Sequence, residues 1–249
     1  MHIPRSHPRY HSLMTREKLA DAFRRGLVVP EGLIAHGRGE CFDYIIGEKS
    51  RDFALEAEKT AVAMMILAER PVISVNGNSA GLVAEEICAL SKVLSIPLEV
   101  NIFHRSDERI KKITEELERY DVTVYSKGDA VIEGLESARR IVDSGGIFRA
   151  DVVLVPLEDG DRCEILKRKG KKIIAIDLNP LSRTSRMADV TIVDNITRAI
   201  PNMIEFARDM KDMSREELEK IVMNYDNRET LRKALKAIIE YLEEKSGDL

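Results

Sequence analysis

Between residues 71 and 210 short β-branched runs alternate with amphipathic stretches. PVISVNG, PLEVNIF, DVTVYS, DVVLVPL, KKIIAIDL and VTIVDN are the strand candidates. The stretch after the first places Val83, Ile87, Leu90 and Leu94 on one helical face. Near-continuous apolar runs such as Val152 to Val155 suit a sheet covered on both sides. Strands that alternate with helices imply parallel pairing through crossovers. The pattern predicts an α/β fold built on an open, doubly wound, mostly parallel sheet.

The flanks read as helical additions to that Rossmann-like core. Ser50 is the expected N-cap of RDFALEAEKTAVAMMILAE, in which Phe53, Ala57, Ala61, Met64 and Ala68 form a stripe of mostly small residues for tight packing. From 214 on, SREELEKIV and RETLRKALKAIIEYLEEK read as two closing helices, with Leu231, Leu235, Ile238 and Leu242 available for packing or for a dimer contact. No repeat, low-complexity tract or linker interrupts the chain. One unit over 1–249 is therefore expected, with a mainly helical region to 70, an α/β core over 71–210 and closing helices from 211.

Composition removes several function classes. The 249 residues are 44% apolar, enough for a substantial core. With 39 basic against 43 acidic residues the net charge is -4, so no overall positive field draws nucleic acid. The N-terminal stretch lacks the apolar core of a signal peptide, and the longest apolar run, AVAMMILA, is too short to span a bilayer. A cytoplasmic protein without a membrane partner is expected. Three scattered cysteines suit reduced thiols, with Cys88 in the core, and form no zinc-type pair. The absence of Gln and Trp beside 33% charged residues is a thermophile bias.

In open α/β sheets ligands sit beyond the carboxyl ends of the strands, so the residues there carry the candidate chemistry. VNGNSAGL puts Gly77 and Gly81, which permit close approach, among Asn76, Asn78 and Ser79 at a helix start where free amides can seat an anion. It matches neither GxGxxG nor GxxxxGK[ST], and an ordinary βα turn remains open. FHRSDER brings His104, Arg105 and Arg109 to the same rim, with Ser106 as N-cap; it reads as a phosphate or carboxylate site or as a salt-bridged helix start. In LEDGDR, Glu158, Asp159 and Asp161 could hold a metal or an ammonium group, or cap a helix. IDLNPLSRTSR offers Asp177 to a ribose or purine edge, with Asn179, Arg183 and Thr184 beside it. Near the N-terminus, Arg9, Arg16 and Arg38, the last between Gly37 and Gly39, read as a loop wrapping an anion. A zinc site from His7, His11 and His36 is disfavoured by Pro8 and by the lack of a ligand set.

Taken in order, HPRYHSLMTRE, GLIAHGRGE, SVNGN, FHRSDER, VPLEDGDR and IDLNPLSRTS closely resemble the archaeal phosphopantothenate synthetase family over nearly the whole chain. The resemblance implies a homodimeric ligase of coenzyme A synthesis. It would join 4-phosphopantoate to β-alanine at the expense of ATP, with Mg2+, releasing AMP and diphosphate through a phosphopantoyl adenylate. The family's ATP contacts fall on Arg16, Arg38, Asp177, Leu178, Asn179, Arg183, Thr184, Asn195 and Ile196. With the residue chemistry added, Arg16, Arg38 and Arg183 would take the nucleotide phosphates, and Asp177 and Asn179 the ribose or adenine. Asn76, Gly77, Asn78 and Ser79, with Arg105, would take the substrate phosphate. Arg38 would act on the reacting phosphate, and His36, His104 or Asp159 would accept the proton of β-alanine; the sequence does not rank them or assign metal ligands. A nicotinamide- or thiamin-dependent enzyme and an ATP-sensing regulator are the alternatives.

Overall fold

The computed structural model describes residues 4–7, 9–156 and 160–248. All six strand candidates form strands. β1 (Pro71–Val75), β2 (Leu98–Val100), β3 (Val124–Tyr125), β6 (Val152–Pro156), β7 (Lys172–Ile176) and β8 (Val190–Ile192) build one sheet in the order β3-β2-β1-β6-β7-β8, parallel throughout. This is the Rossmann order, with its reversal between β1 and β6. Alternate residues serve two cores. Ile73, Leu98, Leu154 and Ile174 face one, with α3 (Asp52–Leu67), α4 (Gly77–Leu94), α5 (Asp107–Glu118) and α8 (Ile196–Met210). Val72, Val153, Val155, Ile173 and Ala175 face the other, with α6 (Gly160–Arg168).

After β3 the chain does not enter a crossover helix. Residues 126–150 instead form an irregular segment with a two-stranded antiparallel ribbon, β4 (Ala130–Val131) and β5 (Ile141–Val142), whose Ile132, Val142 and Ile147 close the second core. Under it, the fully buried Glu99 of β2 accepts the amide of Ile147 at 2.6 Å, and burial pushes its carboxyl up to about 8.

The N-terminal third is mainly helical as expected but differs in detail. Residues read as an anion-wrapping loop lie on two helices, α1 (Tyr10–Arg24) and α2 (Pro30–Ile46), so Arg16 and Arg38 project from helical turns. Pro30 at the first position and Gly47 in the left-handed region (φ 97°) delimit α2 as helix start and stop signals do. Ser50 does not cap α3. Arg51 holds that position without a side-chain capping bond, and the Ser50 hydroxyl donates to Asp194 at 2.5 Å. Ser106 caps α5 as expected. Short α7 (Arg183–Met187) joins β7 to β8, and α9 (Arg215–Met223), with a Ser214–Glu217 capping box, precedes α10 (Asn227–Gly247). On α10, Leu231, Ala234 and Ile238 pack on Ile46, Phe53 and Leu178, whereas Leu242 is exposed. No helix among the described residues is long and apolar enough to cross a membrane.

Candidate active site

Helix α2 runs across the carboxyl edge of the sheet. Gly32 lies against Asn78 beyond β1, Gly39 against Leu178 beyond β7, and Asp43 against Asn195 beyond β8. The helix thus separates two clefts. A narrow one of about 380 Å³ lies over β1 and β2, lined by Glu31, Arg38, Asn76, Gly77, Asn78, Phe103, His104, Arg109 and Arg139 among others. A wide one of about 760 Å³ lies between α1, α2 and the start of α8, lined by Arg9, His11, Lys18, His36, Glu40, Asp43, Asn195 and Arg198 among others.

The narrow cleft is floored by the start of α4, where the Asn76 carboxamide oxygen accepts the Ser79 amide and the Ser79 hydroxyl accepts the Asn76 amide, each at 2.9 Å. Asn76 Nδ2 donates to Pro156 O at 2.8 Å, tying β1 to β6 where the strand order reverses. The side chains of Asn76 and Ser79 are therefore spent on the fold, and Asn78 Nδ2 is bound to Gly32 O at 2.7 Å. What faces a ligand is backbone: the amides of Gly77 and Asn78 at the positive end of the helix. The glycines serve the protein's own approach. A Cβ on Gly77 would strike Leu27 O, and one on Gly81 would lie 2.6 Å from Ala22 Cβ.

Arg109 reaches His104 O at 2.5 Å and Leu27 O at 2.9 Å, and its buried Nε has no partner among the described residues. Burial lowers its pKa, yet the guanidinium stays charged at neutral pH. Arg139 donates to Asn101 O at 3.4 Å, while Asn101 Nδ2 holds the Arg139 and Ile141 carbonyls. Nothing in the SARRIV stretch announces Arg139 as a cleft residue. His104 stacks edge-on against Phe103, 4.0 Å from Glu31. Arg105 turns away: its guanidinium lies against Gly128, and it lines neither cleft.

Beyond β7, Asp177 accepts the Asn179 amide at 2.9 Å and the Ser182 hydroxyl at 2.5 Å. Burial raises its carboxyl pKa, while these bonds and the charge of Arg38 pull the other way, so Arg38 is electrostatically shared between Asp177 and the narrow cleft. Arg183 pairs with Asp161 and Glu164. The side chains of Leu178, Thr184 and Ile196 are buried, which leaves mainly their backbone for a ligand. Glu158 and Asp159 lie outside the described residues.

In and beside the wide cleft Arg16 pairs with Glu40 and Arg198 with Asp43. Arg16 donates to both Glu40 oxygens at 2.8 and 3.0 Å and to Tyr44 at 2.9 Å. Burial alone would raise the Glu40 carboxyl, but the bonds from Arg16 and Tyr44 hold it below its ordinary value. Burial lowers the pKa of His36, making the neutral imidazole the form present at pH 7, and its buried Nε2 lacks a partner among the described residues. Asn195 caps α8 through Thr197 and donates to Asp43 at 2.8 Å. The sequence-predicted residues are thus strung along one edge under α2 rather than gathered in one cavity.

Comparison with known proteins fixes the family. The model of the phosphopantothenate/pantothenate synthetase family matches residues 53–241. The chain belongs to this family. A 4-phosphopantoate--beta-alanine ligase of Thermococcus kodakarensis is 56% identical over 238 residues, covering 94% of this chain and 91% of the relative. Proteins of the same name from Thermococcus onnurineus and Methanosarcina mazei are 55% and 53% identical, covering 94% and 96% of this chain and 90% and 95% of theirs. As a phosphopantothenate/pantothenate synthetase family member, the chain is a ligase that forms an amide bond.

Proposed function

We propose that this ligase condenses 4-phosphopantoate with β-alanine at the expense of ATP, releasing AMP and diphosphate, in coenzyme A synthesis in the cytoplasm, and that it works as a homodimer. The observation that carries the reading is the charge of the narrow cleft. Among the described residues Arg38 and Arg109 stand with one exposed glutamate, Glu31, around the amides that open α4, a setting suited to a dianionic phosphate.

In this reading the phosphate of phosphopantoate sits on the Gly77 and Asn78 amides with Arg139. ATP lies along the strand ends, its nucleoside towards Asp177, Asn179 and Asn195 and its triphosphate towards Arg38. A carboxylate oxygen of phosphopantoate attacks the α-phosphorus, the bond to diphosphate breaks, and a phosphopantoyl adenylate results. The neutral amine of β-alanine then attacks the acyl carbon; AMP leaves and one proton is lost. The chain's part in the first step is to hold two anions in line and to set Arg38 where negative charge grows. In the second, His104 accepts the proton, since it shares the cleft with Arg38 while His36 faces the other side of α2.

The donor set fits Mg2+ carried on the triphosphate. The described residues offer no cluster of three metal-ligating side chains, and Mg2+ with nucleotides takes one or two carboxylates at most. Asp161, whose side chain is 61% exposed beside Arg183, could supply one. When bound, the ion would neutralise charge on the leaving diphosphate.

Incubation of the purified protein with ATP, Mg2+, 4-phosphopantoate and β-alanine tests the reading. AMP should appear only when phosphopantoate is present. ADP would point to an acyl-phosphate route, and bound but unconsumed ATP would point to a sensor.

A further inference from the structure

Helix α2 is a wall common to both clefts, and it is tied down at each end. At its start the tie is a hydrogen bond from Asn78 Nδ2 to Gly32 O. At its end the tie is ionic. Asp43, 5% exposed, accepts Asn195 Nδ2 at 2.8 Å and two nitrogens of Arg198 at 2.5 and 3.2 Å. Arg198 also donates twice to Asp194, at 2.5 and 2.9 Å, and the other Asp194 oxygen takes the Ser50 hydroxyl. Asn202 donates to that hydroxyl at 3.2 Å, and the fully buried Glu58 lies beside Asp194. A continuous polar chain therefore runs from α2 through the first turn of α8 to α3.

This is an unusual way to hold two helices together if stability were its only product. Buried ion pairs bring little net stability over well-packed apolar side chains, because desolvation offsets their attraction. What a forked guanidinium between two carboxylates does supply is direction, since both its bonds form at one separation and one angle. The Asn195 side chain shows the result. Its oxygen is held by Thr197 N and Oγ1 at 3.1 and 2.9 Å and its nitrogen by Asp43, so the carboxamide has a single orientation at the mouth of the wide cleft.

We propose that Asp43 and Arg198 are positioning residues that fix the Asn195 carboxamide and the spacing of α2 from α8, and so shape the wide cleft for the nucleoside end of ATP. The proposal rests on the placement, proposed above, of the nucleoside beside Asn195, which lines this cleft. Steady-state kinetics of Asp43→Asn, Arg198→Lys, Asn195→Ala and the Asp43→Asn/Asn195→Ala double variant test it, with thermal melts of each. The two positioning variants should each raise KM for ATP about tenfold, the effect of one weakened charge-assisted bond, and leave KM for 4-phosphopantoate within about twofold. Because Asp43 acts through Asn195, the double variant should match Asn195→Ala instead of compounding it. Lower melting temperatures with unchanged KM for ATP, or effects that multiply in the double variant, would make the network merely structural and overturn the proposal. If Asn195→Ala raises KM for ATP and neither positioning variant does, only the positioning role is lost. If Asn195→Ala also leaves it unchanged, the nucleotide reading of the wide cleft falls and takes the proposal with it. Arg198→Lys keeps the charge, so the test survives a poorly folding Asp43→Asn.

Discussion

In the narrow cleft Arg109 reaches backbone carbonyls, whereas in the wide cleft Arg198 is bonded to carboxylates and Arg16 on its α1 flank to Glu40. The consequence is a difference in field. A guanidinium on a carbonyl keeps its full charge for an incoming ligand, while one on a carboxylate is neutralised and acts as a strut. Among the described residues the narrow cleft is lined by Arg38, Arg109 and Arg139 with Glu31, and the wide one by Arg9, Lys18 and Arg198 with Glu40, Asp43 and Glu48. In the proposed reading one side of α2 takes the substrate phosphate and the other the nucleoside.

The comparison breaks most readily at Arg38. Arg38→Ala should lower kcat for AMP formation by about 10²–10³-fold, the usual effect of removing one donor to a charge-developing centre. A loss under tenfold would take Arg38 out of the reaction. His104→Gln sharpens the division of labour within the narrow cleft. It should slow phosphopantothenate formation by about 10²-fold while exchange of labelled diphosphate into ATP, which reports adenylate formation alone, persists. Equal loss of both activities would deny His104 its role as proton acceptor.

On the wide side the expected effects are on stability. The folded Glu58 carboxyl keeps its proton up to about 9, raised first by burial and then by Asp194, against an ordinary value of 4.5. The folded state therefore binds more protons than the unfolded one between those values, and stability falls as pH rises through that interval. Glu58→Gln cannot release a proton. Denaturation at pH 5, 7 and 9 should show the variant gaining on the parent by on the order of 1 kcal/mol per pH unit, and parallel profiles would contradict the assignment. The smallest effect belongs to Glu40→Gln, which loosens the half-exposed Arg16 pair. Its stability change should stay under about 1 kcal/mol in the same assay.

The sheet was legible because the strand runs are bounded by turns and, apart from the partly buried edge strand β3, largely buried on both faces, so pattern and fold agree. The helical character of the N-terminal region was legible too, but the path of α2 was not. Gly32, Gly37 and Gly39 lower the helix signal of α2, and the small residues that let it lie close to Asn78 and Leu178 read as loop. The stop signal at Gly47 and the start at Pro30 were present and outweighed. The site was legible by position and less so by side chain. Asn76 and Ser79 were placed correctly beyond β1, but a capping box and a cross-strand bond to Pro156 consume their polar atoms. Arg139 and Asp43 owe their roles to contacts across 38 and 152 residues, with Asn101 and Asn195, which no local spacing encodes.

The division of the two clefts is tested most directly by equilibrium titration of Arg139→Met with each ligand separately. The account predicts that 4-phosphopantoate binds about tenfold or more weakly while ATP binds within about twofold of the parent protein. If the variant loses ATP affinity and keeps phosphopantoate, the substrates lie on the opposite sides of α2 from those assigned to them.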